Sequence, residues 1–169
     1  MLFKKKFEGL QKDLAQTKKA GALTVSHLRI HESQISAPYL VTHADFIGVH
    51  RFEYLNQYDI LDKINHGGVF LLNTPYSSDE TWNKLPKSIQ EIIIDKKLNF
   101  YVINALNVAK QAKLGNRINT VMQTAFFALS GIFEKEKSIK YIKDEIERAY
   151  GKKGPEIILK NFNAVDLTI

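Results

Sequence analysis

Two short apolar runs constrain this chain most. Val69–Asn73 (VFLLN) and Leu98–Ile103 (LNFYVI) are apolar on both faces and too short for helices. Such runs fit strands buried on both sides, as in a parallel sheet. Between them, Lys87–Lys97 has a clear helical rhythm with Ile89, Ile92 and Ile93 as its apolar edge. Parallel strands need a crossover of that kind. A chain carrying this pattern is directed to an α/β fold with a mostly parallel sheet.

The remaining segments extend the alternation. Met1–Thr17 is basic and amphipathic, with Phe3, Phe7, Leu10 and Leu14 at helical spacing, and reads as a short helix or a loose arm. Leu23–Ile30 and Ala44–His50 read as strands. Phe52–Ile64 reads as a helix, with His66-Gly67-Gly68 as its glycine stop. Asp79–Lys84 is expected to form a helical turn carrying the sole tryptophan, Trp82. Asn104–Lys113 is expected to be helical and to end at Leu114-Gly115. Ser138–Tyr150 is an amphipathic helix, and Pro155 opens a last one, to about Val165. Only three or four strands are visible, so the sheet looks incomplete on its N-terminal side.

The totals exclude several classes. The 169 residues suffice for one domain with a real core. With no cysteine, the chain cannot supply disulfides, zinc–thiolate ligands or cysteine ligands to an iron–sulfur cluster. No apolar run is long enough to span a bilayer, and the start MLFKKKFEGLQKD has no secretion-signal pattern. These features suit the cytoplasm. The net charge of +6 favours an anionic partner such as nucleic acid, a phosphorylated cofactor or an acidic protein. The lysines are dispersed, and those of Lys135–Lys153 alternate with glutamates, as on a solvated helix face. Charge alone therefore gives little support to a nucleic-acid module.

The stretch with most chemistry is Gly115–Phe127, GNRINTVMQTAFF. It sets Asn116, Arg117 and Asn119 after a glycine and runs directly into an apolar helical pattern. The first amides of a helix lack intrahelical partners and carry partial positive charge, so anions settle there. Arg117 adds a fork of donors suited to phosphate or carboxylate. Asn119, Gln123 and Phe127 lie four apart on one face, polar at the start and apolar at the end. The plainer reading is a cap on a core helix, with Arg117 in a structural ion pair.

Other constellations are weaker. His27 reads as a hydrogen-bonded histidine at a strand surface. There is no GxGxxG after a strand and no Walker sequence, so neither dinucleotide nor P-loop chemistry is indicated. His66-Gly67-Gly68 resembles part of a hydrolase oxyanion loop, but no GxSxG accompanies it. The histidines at 27, 31, 43, 50 and 66 make no compact metal-ligand spacing.

TVSHLR at Thr24–Arg29, SAPYLV at Ser36–Val41, ADFIGVH at Ala44–His50 and YDILD at Tyr58–Asp62 open a collinear series. GGVFLLN at Gly67–Asn73, LPKSIQEIIIDKKLNFYVINA at Leu85–Ala105, GNRINTVMQTAFFALSGI at Gly115–Ile132 and YGKKG at Tyr150–Gly154 continue it. From about Lys18 to Asp166 the chain resembles the gamma domain of pyruvate:ferredoxin (flavodoxin) oxidoreductases. The resemblance implies a three-layer α/β/α unit over residues 18–169, with 1–17 as an arm. It implies an enzyme that oxidatively decarboxylates pyruvate to acetyl-CoA with thiamine diphosphate and passes electrons through iron–sulfur clusters to ferredoxin or flavodoxin. Thiamine and clusters would sit in partner domains. The gamma domain would pack against those domains and help hold coenzyme A. By residue type and family position, the coenzyme A ligands would be Asn116, Arg117, Asn119, Lys18 and Lys19, with no catalytic or metal-ligating residue here.

Two departures stand out. Met1–Thr17 does not resemble the glycine-rich segment and further strands that precede this region in the family. Ala125 occupies a position often held by cysteine. A structural or interaction remnant of the domain, without a part in turnover, is the competing expectation.

Overall fold

The computed structural model describes residues 24–31, 35 and 41–169, and the backbone of Gly9–Ala15. The chain divides into two units, Met1–Ala44 and Asp45–Ile169.

In the first unit, β1 (Gly9–Ala15) pairs antiparallel with β2 (Val25–His31), in a register running from Gly9 opposite His31 to Ala15 opposite Val25. The short helix or loose arm expected over Met1–Thr17 is therefore corrected to a strand for Gly9–Ala15. Leu10 and Leu14 are four apart, a spacing that suits a period of two as well as one of 3.6. A short isolated helix is marginal in water, whereas pairing with β2 supplies the backbone with partners. The boundary expected at 17/18 lies outside the described residues.

The second unit is built on β4 (Ile64–Asn73), which lies between β3 (Ala44–Val49) and β5 (Asn99–Ile103) in the order β3-β4-β5. β4 and β5 are parallel, with Phe70 opposite Phe100 and Leu72 opposite Val102. The Phe70 and Phe100 rings stack with centroids 5.0 Å apart. Side chains tie β3 to β4 at both ends. Asn65 Nδ2 donates to Asp45 Oδ1 at 2.6 Å, and Asn73 Nδ2 donates to the His50 carbonyl at 2.9 Å. Start meets start and end meets end, so β3 also runs parallel to β4.

Successive side chains of β4 go to opposite layers. Phe70 and Leu72 join Leu55, Leu61, Leu85, Ile89 and Ile93 in one core cluster. That layer contains a 3-10 turn (Phe52–Asn56), α1 (Ser78–Lys84) and α2 (Lys87–Asp95). Leu71 joins Ala105, Ala109, Ala112, Val121, Met122, Ala125 and Ala164 in the other. These come from α3 (Ala105–Gln111) with its C-terminal cap, α4 (Asn119–Leu129) and α6 (Pro155–Thr168). Small alanines let these helices approach the sheet closely. α5 (Lys135–Tyr150) packs on α4 and α6. The arrangement is an α/β fold with helices on both faces of a parallel sheet, as the short apolar runs required.

The helix expected over Phe52–Ile64 is replaced by the five-residue 3-10 turn, further turns and the start of β4. Ile64 already belongs to β4, and Lys96 ties down the turn before it. Its Nζ donates to the carbonyls of Leu61, Asp62 and Ile64 at 3.3, 3.0 and 2.9 Å. Lys96 thus anchors the turn that leads into β4. His66-Gly67-Gly68 is not a helix stop but part of β4. Gly67, at φ 71°, turns its N–H onto the Lys96 carbonyl at 2.7 Å.

Candidate anion-binding loop and family membership

α3 ends in two left-handed steps, Lys113 at φ 59° and Gly115 at φ 64°. Leu114 N–H closes on the Ala109 carbonyl at 2.8 Å, and Arg117 N–H reaches the Leu114 carbonyl at 3.3 Å. The chain thus reverses tightly and delivers Asn116, Arg117 and Asn119 to the surface, where all three are exposed. Asn119 and Gln123 remain exposed while Phe127 is buried, so the expected polar-to-apolar stripe is present.

The helix start differs from a capped one. The N-cap is Ile118, which has no capping side chain, and Thr120 turns away to donate to Asn161 Oδ1 at 2.7 Å. The first amides of α4 are therefore left without a side-chain acceptor from the cap. Among the described residues no carboxylate forms an ion pair with Arg117. The structure accordingly brings Asn116, Arg117 and Asn119 together at one helix start. Lys18 and Lys19 lie outside the described residues.

The elements around the loop are firmly placed. Asn161, nearly fully buried, accepts from Thr120 and donates through Nδ2 to the Ile157 carbonyl at 2.8 Å, joining the start of α4 to α6. Glu156 and Lys160 pair at 2.6 Å on the first turns of α6, and this pairing, followed by the charge of Lys113, holds the Glu156 carboxyl below its usual range.

The other sequence candidates are scattered. His27 is half-buried on β2, opposite Asp13, and His66 is exposed on β4. His50 follows β3, where partial desolvation lowers its pKa although the residue keeps contact with solvent. Among the described residues, no three histidine or carboxylate side chains form a metal-holding group. With no cysteine in the chain, a cysteine-ligated cluster does not fit its residues. No helix among the described residues is long and apolar enough to cross a membrane.

The profile of the family described as pyruvate ferredoxin/flavodoxin oxidoreductase matches residues 1–169. The chain belongs to this family. Over 153 residues it is 47% identical to the putative pyruvate-flavodoxin oxidoreductase of Synechocystis, covering 90% of this chain and 13% of that protein. Over 150 residues it is 45% identical to the pyruvate:ferredoxin oxidoreductase of Moorella thermoacetica, covering 89% of this chain and again 13% of the relative. The chain therefore spans about an eighth of the length of these curated relatives. Among solved structures, the pyruvate oxidoreductase subunit PORC of Thermotoga maritima has the same fold. The TM-score is 0.68 at 21% identity, covering 93% of this chain and 76% of that one.

Proposed function

We propose that this chain serves as the gamma-type domain of a pyruvate:ferredoxin (flavodoxin) oxidoreductase in the cytoplasm, where it packs against partner domains and binds coenzyme A. The observation that carries the reading is its 44–48% identity, over nine-tenths of its residues, to pyruvate-flavodoxin oxidoreductases of several bacteria. In this reading thiamine diphosphate and iron–sulfur clusters reside in the partner domains, which pass electrons to ferredoxin or flavodoxin. No step of that chemistry is assigned to residues of this chain.

Coenzyme A enters as substrate and polyanion. Arg117 would hold phosphate oxygens with its guanidinium, Asn116 and Asn119 would donate side-chain amides, and the uncapped first amides of α4 would add their partial charge. Lys18 and Lys19 are assigned to the same ligand by residue type and family position alone. The role is positioning: the loop would fix the nucleotide end of the substrate while its thiol reaches the partner domains.

The test is Arg117→Ala in the enzyme assembled from this chain and its partner domains. The KM for coenzyme A should rise about tenfold or more, the usual cost of a lost charge-assisted hydrogen bond. Pyruvate-dependent reaction at the thiamine site, before coenzyme A enters, should remain close to wild type. An unchanged KM would return Arg117 to a purely structural part.

A further inference from the structure

The three helices α4, α5 and α6 determine what else lies beside Arg117. The connections Ser130–Glu134 and Gly151–Gly154 are short, so consecutive helices run antiparallel and α4 and α6 run the same way. Lys143 of α5 fixes the register between α5 and α6. Its Nζ lies 2.6 Å from Asp166 and 5.4 Å from the Phe162 ring centre. Thr120 and Asn161 fix that between α4 and α6. Counted back from that pair at 1.5 Å per residue, α6 begins about 8 Å beyond the start of α4. The Gly151–Gly154 connection is therefore delivered to the end of the helical layer that carries Gly115–Arg117. The charge of Lys113 reaching Glu156 is consistent with that placement.

The charges at this end are unbalanced. Lys113, Arg117, Lys152 and Lys153 are exposed there. Glu156 is engaged by Lys160 and Glu145 by Arg148, each at 2.6 Å, which leaves Asp144 and Glu147 as the remaining carboxylates on the nearby turns. Lys153 does not trail freely: its Nζ stands 5.2 Å from the Tyr150 ring centre. A 3-10 turn (Gly151–Lys153) and Gly154 at φ 96° set the backbone that presents it.

We infer that Lys152 and Lys153 form a second anion subsite beside the Arg117 loop, so that one ligand with two separated phosphate groups spans both. The inference rests on the proposed function and sharpens it. The pyrophosphate of coenzyme A is held at Asn116–Asn119, and its ribose 3′-phosphate is held by the lysine pair. The ligand class is thus a nucleotide phosphorylated at two places, and the lysine pair sets the preference for coenzyme A over its 3′-dephospho form.

Calorimetric titration of the enzyme assembled from this chain and its partner domains, with coenzyme A and with dephospho-coenzyme A, tests this. The wild-type enzyme is expected to prefer coenzyme A. In the double variant Lys152→Ala/Lys153→Ala the affinity for coenzyme A should fall about tenfold while that for dephospho-coenzyme A stays within about twofold. The double variant Lys152→Arg/Lys153→Arg should keep the preference, and the preference should shrink as salt is added. If the alanine pair leaves the preference intact while Arg117→Ala weakens both ligands, this inference is overturned and the proposed function stands. If the assembled wild-type enzyme binds neither ligand, both are overturned.

Discussion

Adjacent glycines in β4 do different work. Gly67 has a φ of 71°, and an added Cβ would meet nothing within 4 Å. Gly68 has an ordinary backbone, but a Cβ there would lie 2.9 Å from the Asn65 carbonyl oxygen and 3.2 Å from that of Asp45. The first needs glycine for its conformation, the second for close approach of backbone. Gly68→Val should therefore cost about 1–3 kcal/mol of stability by overpacking. Gly67→Asn should cost less, because asparagine enters the left-handed region more readily than other side chains. Chemical denaturation of the two variants gives the order directly. Equal losses, or a larger loss at Gly67, would show that the β3–β4 contact relaxes without difficulty.

Among the elements, α1 shows how a short helix is held. Ser77 Oγ accepts from the Glu80 N–H at 3.3 Å, and the Glu80 carboxylate accepts from the Ser77 N–H at 3.1 Å. This reciprocal box lowers the Glu80 pKa, chiefly through the Ser77 backbone bond. Thr81, fully buried, adds a weaker bond to the Tyr76 carbonyl at 3.5 Å. Ser77→Ala should remove about 1 kcal/mol. Denaturant midpoints would register the loss; no change would mean that burial of α1 alone secures it. α4 contrasts with this. Its start is occupied by Ile118 rather than a capping side chain, and its neighbour Thr120 is spent on Asn161. The two helix starts are thus treated differently, and the uncapped one follows Arg117.

For the whole molecule, the ratio of lengths matters most. Relatives of the same family hold this region as 13% of a longer protein, and the PORC subunit holds the same fold as a separate chain. The proposed function therefore requires partners that carry thiamine and clusters. An anaerobic pull-down of this chain from its own cells, read by mass spectrometry, should recover such proteins in equal amounts. The purified chain alone should reduce no electron acceptor with pyruvate. Recovery of the chain by itself would favour the interaction-remnant reading, and pyruvate-dependent reduction by the pure chain would overturn the assignment of both cofactors to partners.

Much of this was legible in the residue order. VFLLN and LNFYVI announced the parallel strands because burial on both faces demands apolar residues at every position. The isoleucines of α2, the proline at the start of α6 and the polar start of α4 were equally readable, since each reflects a local periodicity or terminus. The motif series carried the family, and the GNRIN loop carried its candidate site. Tertiary structure alone decided the rest. Pairing with β2 made Gly9–Ala15 a strand, and Lys96 reaches back more than thirty residues to anchor the turn found where Phe52–Ile64 read as a helix. The tertiary structure also joined Thr120 of α4 to Asn161 of α6, forty-one residues away. Local spacing reports which face of an element is apolar. It cannot report which distant carbonyl, strand or helix end will meet a given side chain, because those encounters are fixed only when the layers pack.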